Sequence, residues 1–234
     1  MKIGLICEGI TDYIVIENII CGYLGIDDDN INQLQPVLDE TSQKQASHSF
    51  GGWENVLTYL QATDFIDAAD NHDYLIIQID TDECEHKNFG VKPISLATNN
   101  PEDFYRLIKN RLIEKINEKF PTNFQQYSEK LIFCISIHSL ECWLLVHYQK
   151  KQPTTHKIVR CAQALEYIFD VQPLTVNRKM VPYEKNYRCY DAISQPFLNI
   201  DNIEKTCKES LSFRLFIERL NQVKAVELLL SITK

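Results

Sequence analysis

Residues 73–85 read Asp73-Tyr74-Leu75-Ile76-Ile77-Gln78-Ile79-Asp80-Thr81-Asp82-Glu83-Cys84-Glu85. The run from Tyr74 to Ile79 is almost wholly apolar and rich in β-branched residues, too short for a helix and without a polar face. Such a segment belongs in the middle of a sheet buried on both sides. It ends abruptly on Asp80-Thr81-Asp82. Alternate strand residues point the same way, so Asp80 and Asp82 can address one point beyond the strand end. Glu83 and Glu85 read as flanking charge.

Working outward, the same pattern of apolar strand, acidic turn and helix recurs. Lys2–Cys7 is a short buried strand followed by a turn at Glu8–Gly9. Thr11 or Asp12 can cap a helix to about Leu24, with Gly25 closing it. A polar loop at Asp27–Asn32 carries solvated charge at Asp28 and Asp29, and Leu34–Leu38 predicts a second strand. The stretch 41–52 (TSQKQASHSFGG) is polar and irregular, and Trp53–Ala69 predicts one helix. Asn99 or Asn100 can cap a helix with Pro101 in its first turn, its buried face set by Phe104, Ile108, Leu112 and Ile116. Lys130–Ile137 predicts another strand, with a helix over 139–148. Beyond 151 the pattern is helical, interrupted by a loop at Pro173–Arg188. Strand–helix alternation over 1–150 predicts an α/β core with a mostly parallel sheet flanked by helices. Residues 151–234 form a helical C-terminal extension carrying a basic Tyr/Lys/Arg loop.

Composition narrows the class. The chain has 234 residues, 44% of them apolar and 24% charged, and a net charge of −8. These values are ordinary for a globular protein and exclude collagen-like and low-complexity chains. Apolar stretches fall far short of the roughly 20 residues of a membrane helix. Met1–Cys7 meets Glu8 too soon for a signal peptide. Eight cysteines with no CxxC pair read as buried free thiols, not as a disulfide framework or a zinc site. The expectation is a soluble cytoplasmic protein with no membrane partner, compatible with a monomer or an oligomer. Charge is uneven: residues 1–100 carry 4 basic against 17 acidic side chains, residues 101–234 carry 20 against 15. An acidic first half looks less like a phosphate clamp than like a place where carboxylates hold cations.

Three segments place carboxylates where an apolar strand ends: Ile6–Asp12, Ile79–Glu85 and Ile137–Trp143. In a parallel sheet the strand ends share one edge, where ligands bind. Glu8, Asp80, Asp82 and Glu141 can therefore converge, and clustered carboxylates require protons or cations. Hard oxygen donors without paired His or Cys favour Mg²⁺ or Mn²⁺ over zinc. Asp12 reads as an N-cap. His138 lies near the carboxylates and is a further candidate, whereas His147, Trp143 and Trp53 read as structural. Tyr183, Tyr187 and Tyr190 alternate with Arg178, Lys179, Lys185 and Arg188. That pattern fits single-strand binding and equally a tyrosine-rich loop packed on the core.

Together these segments resemble the Toprim domain, and more closely its OLD-like, RloB-type nuclease branch. The matching elements are Glu8-Gly9, in the longer form Glu8-Gly9-Ile10-Thr11-Asp12, then Asp80-Thr81-Asp82, then Ser136–Tyr148 with its Glu141-Cys142-Trp143-Leu144-Leu145-Val146-His147 core. Tyr183-Glu184-Lys185 is similar to a later Tyr-x-Lys element of that group. The resemblance covers about residues 1–190. It departs at His138–Ser139, where the group has Asn, and in lacking a Gly after the Asp-x-Asp. It implies a Rossmann-like Toprim core and metal-dependent cleavage of nucleic acid, DNA favoured, within antiphage defence. It implies that Glu8 is metal ligand or general acid/base, that Asp80, Asp82 and Glu141 hold Mg²⁺ or Mn²⁺, and that Lys185 steadies phosphate charge. Arg178, Lys179 and Arg188 would bind the nucleic-acid backbone. The chain has no Walker A sequence, so an ATPase, if one is needed, is a separate partner chain. The competing readings are a non-catalytic Toprim-like subunit that binds such a partner, and a phosphohydrolase acting on a small nucleotide.

Overall fold

Side-chain alternation in the strands decides which helices cover which face. The computed structural model describes residues 1–36, 52–92, 94–149, 160–176 and 179–232. Through the first half of the chain these form β1 (Ile3–Ile6), α1 (Ile10–Leu24), β2 (Ile31–Gln35), α2 (Gly52–Leu60), α3 (Thr63–Asn71) and β3 (Tyr74–Asp80). Then follow α4 (Leu96–Asn99), α5 (Pro101–Asn117), α6 (Asn123–Tyr127), β4 (Leu131–Ser136), α7 (Glu141–Tyr148) and α8 (Cys161–Val171). The hairpin strands β5 (Leu174–Val176) and β6 (Lys179–Val181) precede α9 (Tyr187–Ser194), α10 (Ile200–Glu209) and α11 (Leu211–Ile232).

β1 to β4 form a parallel sheet in the order β2-β1-β3-β4, as the strand–helix alternation predicts. Ile6 lies opposite Ile77, and Asp80 opposite Ser136. From β1 the chain steps outward to β2, then returns past β1 to β3, so the order reverses between β1 and β3. That reversal opens a crevice at their C-terminal ends, where α/β sheets bind ligands. Ile3, Leu5, Cys7, Ile76, Ile132 and Cys134 face α1 and the C-terminal helices, including Phe213, Phe216 and Leu220 of α11. Ile6, Leu75, Ile77, Ile79, Phe133 and Ile135 face the other way, onto α2, α3 and α5. Residues after 160 thus complete one face of the sheet's own core. At α5 the Asn100 side chain accepts from the Asp103 N–H at 3.2 Å, with Pro101 leading the helix.

Four local expectations are corrected. The second strand is Ile31–Gln35 and not Leu34–Leu38, because Ile31 pairs with Ile3 and Pro36 has no N–H to extend the ladder; residues 37 and 38 lie outside the described residues, as does most of the polar stretch 41–52. The helix over Trp53–Ala69 is two. The last turn of α2 tightens through Gln61 N–H to Thr58 O and Ala62 N–H to Tyr59 O, and α3 restarts at Thr63. The apolar stripe hides this break, because Leu60 and Phe65 bury on the same side. The loop at Pro173–Arg188 contains the β5–β6 hairpin, with Leu174 opposite Val181. Finally, Cys142 and Cys161 form a disulfide, where all eight cysteines were expected free; α7 and α8 pack with these Cα atoms 5.0 Å apart. The other six are free thiols. Among the described residues no helix is long and apolar enough to cross a membrane.

Candidate active site

The ends of β1, β3 and β4 each lead into acidic residues. β1 runs out into Glu8, whose backbone N–H donates to the Gln78 side-chain carbonyl at 3.0 Å. The Gln78 amide in turn donates to Asp80 Oδ1 at 3.0 Å. Glu8 Oε1 accepts from the Asp80 backbone N–H at 2.6 Å. Gln78 is fully buried in the centre of β3 and ties the two strand ends together. The sequence signal for it is its place as the one polar residue inside Leu75–Ile79. Gly52, at the start of α2, lets that helix approach Glu8: a Cβ there would sit 2.6 Å from the Glu8 carbonyl oxygen.

Asp12 is not a cap. Gly9 occupies the N-cap position of α1 without a side-chain hydrogen bond, so Asp12 falls inside the first turn, 7% exposed and turned into the crevice. Beyond β4, His138 takes a left-handed backbone (φ 69°). Its N–H donates to Thr81 Oγ1 at 2.8 Å, and its carbonyl accepts from the N–H groups of Thr81 and Asp82 at 2.8 and 3.0 Å. This clasp brings the Asp80–Asp82 turn against the start of α7. There the Leu140 N–H donates to Asp80 Oδ1 at 3.1 Å, and Glu141 follows, 3% exposed. Glu141 Oε1 accepts from the Tyr190 hydroxyl at 2.7 Å and lies 3.4 Å from the Lys185 ammonium. Asp82 stands at the exposed rim.

The electrostatics separate these carboxyl groups. Burial, offset in part by the Asp80 N–H and reinforced by Asp12 and Asp82, pushes Glu8 up to about 8. Burial and the Glu141 charge push Asp12 up to about 7, although Lys185 opposes this. Asp80 is raised well above the usual carboxylate range, by burial and then by Glu8, Asp12, Glu141 and Asp82. At the rim, partial desolvation and then the Glu83 charge raise Asp82. Glu141 goes the other way: burial would raise it, but Lys185 and the Tyr190 and Ser139 hydrogen bonds hold it below the usual carboxylate range. Burial tends to lower Lys185, but Glu141, Asp12 and Asp80 outweigh it and keep the ammonium charged. One carboxyl group poised near neutrality beside another held ionised is an arrangement suited to proton transfer.

A divalent cation fits the donor chemistry of this crevice. Carboxylates this close carry protons or share a cation, and their oxygens suit Mg²⁺ or Mn²⁺. Ser136, paired with Asp80 across the sheet, has a buried hydroxyl with no hydrogen-bond partner among the described residues. That is a buried polar position beside the Asp80 strand end that the described side chains leave unmet. No three His, Cys, Asp or Glu side chains among the described residues are already gathered as a metal-ion site. Glu8 and Glu141 each commit one oxygen to protein donors, so a cation would draw on their remaining oxygens.

The basic loop divides. Arg178 lies outside the described residues, Lys179 opens β6, and Arg188 is exposed on α9. Tyr183 stacks on Phe169 at 5.6 Å and Tyr190 is buried against Glu141, so both pack; Tyr187 is 45% exposed. His147 lies against Tyr148 and Phe197, and Trp143 packs between Phe213 and Phe216. Asp12, Gln78 and Tyr190 are the site residues that sequence reasoning did not single out for this role. No family profile, curated protein or solved structure matches the chain.

Proposed function

We propose that the chain is a Mg²⁺- or Mn²⁺-dependent nuclease of the Toprim type, OLD-like branch, cleaving phosphodiester bonds in nucleic acid, with DNA favoured. The supporting observation is the convergence of Glu8, Asp12, Asp80, Asp82 and Glu141 at the ends of β1, β3 and β4, with the Lys185 ammonium 3.4 Å from Glu141. Asp80, Asp82 and Glu141, with the free oxygen of Glu8, are the residues that would hold the cation. When bound, the cation neutralises phosphate charge and acidifies water. Glu8, which titrates near neutrality, gives or takes the proton at its carboxyl group. Glu141 stays ionised and fixes the Lys185 ammonium, which faces the phosphate oxygens where charge grows. Lys179 and Arg188, with Arg178, supply backbone contacts and affinity.

The test is cleavage of labelled DNA and RNA strands with Mn²⁺ or Mg²⁺ by the chain and by Glu8→Gln, which keeps shape but removes the titrating group. Metal-dependent cutting that Glu8→Gln abolishes, with the melting temperature kept, supports the reading. Absence of cutting on every substrate, with the genomic neighbour's product added as a candidate ATPase partner, overturns it in favour of a non-catalytic subunit. Turnover of a free nucleotide instead makes it a small-substrate phosphohydrolase.

A further inference from the structure

Behind the acidic turn lies a second concavity, a cleft of about 350 Å³. Ile137 and Trp143 form its apolar part. Thr98 and Asn99 at the end of α4, the side chain of His138, and Ser210 at the α10–α11 junction provide neutral hydrogen-bonding groups. This volume is at the lower end for small-molecule sites. Among the described residues Glu209 is the one charged side chain lining it, and no Lys or Arg does. The described lining offers no cation to a phosphate, whereas a flat neutral heterocycle with alternating donors and acceptors is matched.

Two connections tie the cleft to the acidic crevice. His138 lines the cleft, while its backbone is clasped to Thr81 and Asp82 by three hydrogen bonds of 2.8–3.0 Å. The clasp holds it at φ 69°, a conformation that glycine adopts freely and that a residue with a Cβ adopts at a cost. Trp143 sits two residues beyond Glu141 on the same helix. The cleft is therefore lined by the residue clasped to the Asp80–Asp82 turn and by the helix that carries Glu141.

We propose that this cleft is a base-binding subsite: it takes the nucleobase of a nucleotide adjoining the phosphate that faces the Lys185 ammonium. The inference rests on the nuclease reading and adds its substrate contact. The phosphate goes to the cationic side of the site, at Lys185, and the base to the neutral side, at His138, Asn99 and Ser210. Apolar enclosure of the ring with edge hydrogen bonds is the general means of holding an unstacked base.

The experiment measures binding in EDTA, where no metal-dependent cleavage occurs, of a fluorescent oligodeoxynucleotide and of the same strand made fully abasic. The parent chain should bind the base-containing strand at least about fivefold more tightly, the low end of what one base contact contributes. His138→Gly removes the imidazole while keeping the backbone conformation. It should erase that preference, leave abasic-strand affinity unchanged, and keep or raise the melting temperature. Thr98→Trp, filling the cleft from its rim, should erase the preference too. Equal, salt-sensitive binding of both strands by the parent chain would overturn the subsite and leave the nuclease reading standing. A full base preference surviving both variants would likewise overturn it. Binding of deoxynucleoside monophosphates with no binding of either strand would overturn the subsite as a nucleic-acid contact and the nuclease reading with it.

Discussion

Without divalent metal, the protein should lose stability as pH rises from 5 to 8.5. Glu8 titrates at about 8 in the folded chain against an ordinary 4.5, chiefly through burial and then through Asp12 and Asp82. A carboxyl group whose folded value is raised binds its proton more tightly when folded. Its stabilising contribution is complete below pH 4.5 and is lost as pH climbs through 8. The ceiling for this one group is about 5 kcal/mol, from 1.36 kcal/mol per pH unit. Counter-ions and relaxation at the open side of the crevice bring it to a few kcal/mol. For a chain of this size that corresponds to a fall of roughly 5–12 °C in melting temperature. The assay is thermal unfolding followed by circular dichroism in EDTA across that range, for the parent and for Glu8→Gln. The Gln variant cannot lose a proton there, so its profile should be flatter and its stability at pH 8.5 higher. Mn²⁺ should raise the parent's melting temperature most at the alkaline end, where the ligands are free of protons. A parent profile that is flat or rises toward pH 8.5, or that coincides with the Gln profile, refutes the assignment of Glu8 to a buried acidic cluster.

Gln78→Leu takes the acceptor from the Glu8 N–H and one of two donors from Asp80 Oδ1, at a fully buried position; chemical denaturation should show a loss of about 1–3 kcal/mol and titration a weaker affinity for Mn²⁺. Tyr190→Phe keeps the ring but withdraws the hydroxyl from Glu141, so the same denaturation assay should register about 1–3 kcal/mol and the cleavage rate should fall. Gly52→Ala drives a methyl group into the Glu8 carbonyl, and melting should reveal a cost of roughly 1–3 kcal/mol together with reduced metal affinity. Lys185→Ala should leave melting and metal binding in place while slowing single-turnover cleavage about 10²- to 10³-fold, whereas Arg188→Ala should mainly raise the substrate concentration required.

What the sequence made legible was the part governed by two-residue alternation. Ile3 to Cys7, Leu75 to Ile79 and Leu131 to Ile135 each bury both faces, so their strands and acidic ends stand out as apolar runs stopping on charge. β2 is an edge strand whose middle residues Asn32 to Leu34 are only half-buried, which leaves no clean alternation to place it. The split of the second helix is silent in the pattern, because the apolar stripe continues on the same side after the chain restarts at Thr63. Asp12 is misplaced by one local choice: with Gly9 as the N-cap, the helix begins two or three residues sooner and the carboxylate turns inward. The Cys142–Cys161 bond spans 19 residues across two helices, a distance at which spacing carries no information about contact. Tyr190 reaches Glu141 only because the β5–β6 hairpin and α9 fold back over α7 and α8, a long-range packing that no local signal encodes.

The central claim is that carboxylates from three strand ends form one divalent-cation centre. Calorimetric titration of Mn²⁺ into the intact chain at pH 8 tests it most directly, with the Asp80→Ala/Asp82→Ala double variant alongside and folding of both verified. The account predicts saturable binding by the parent that disappears in the double variant. Equal heats and equal stoichiometry for the two proteins would contradict it.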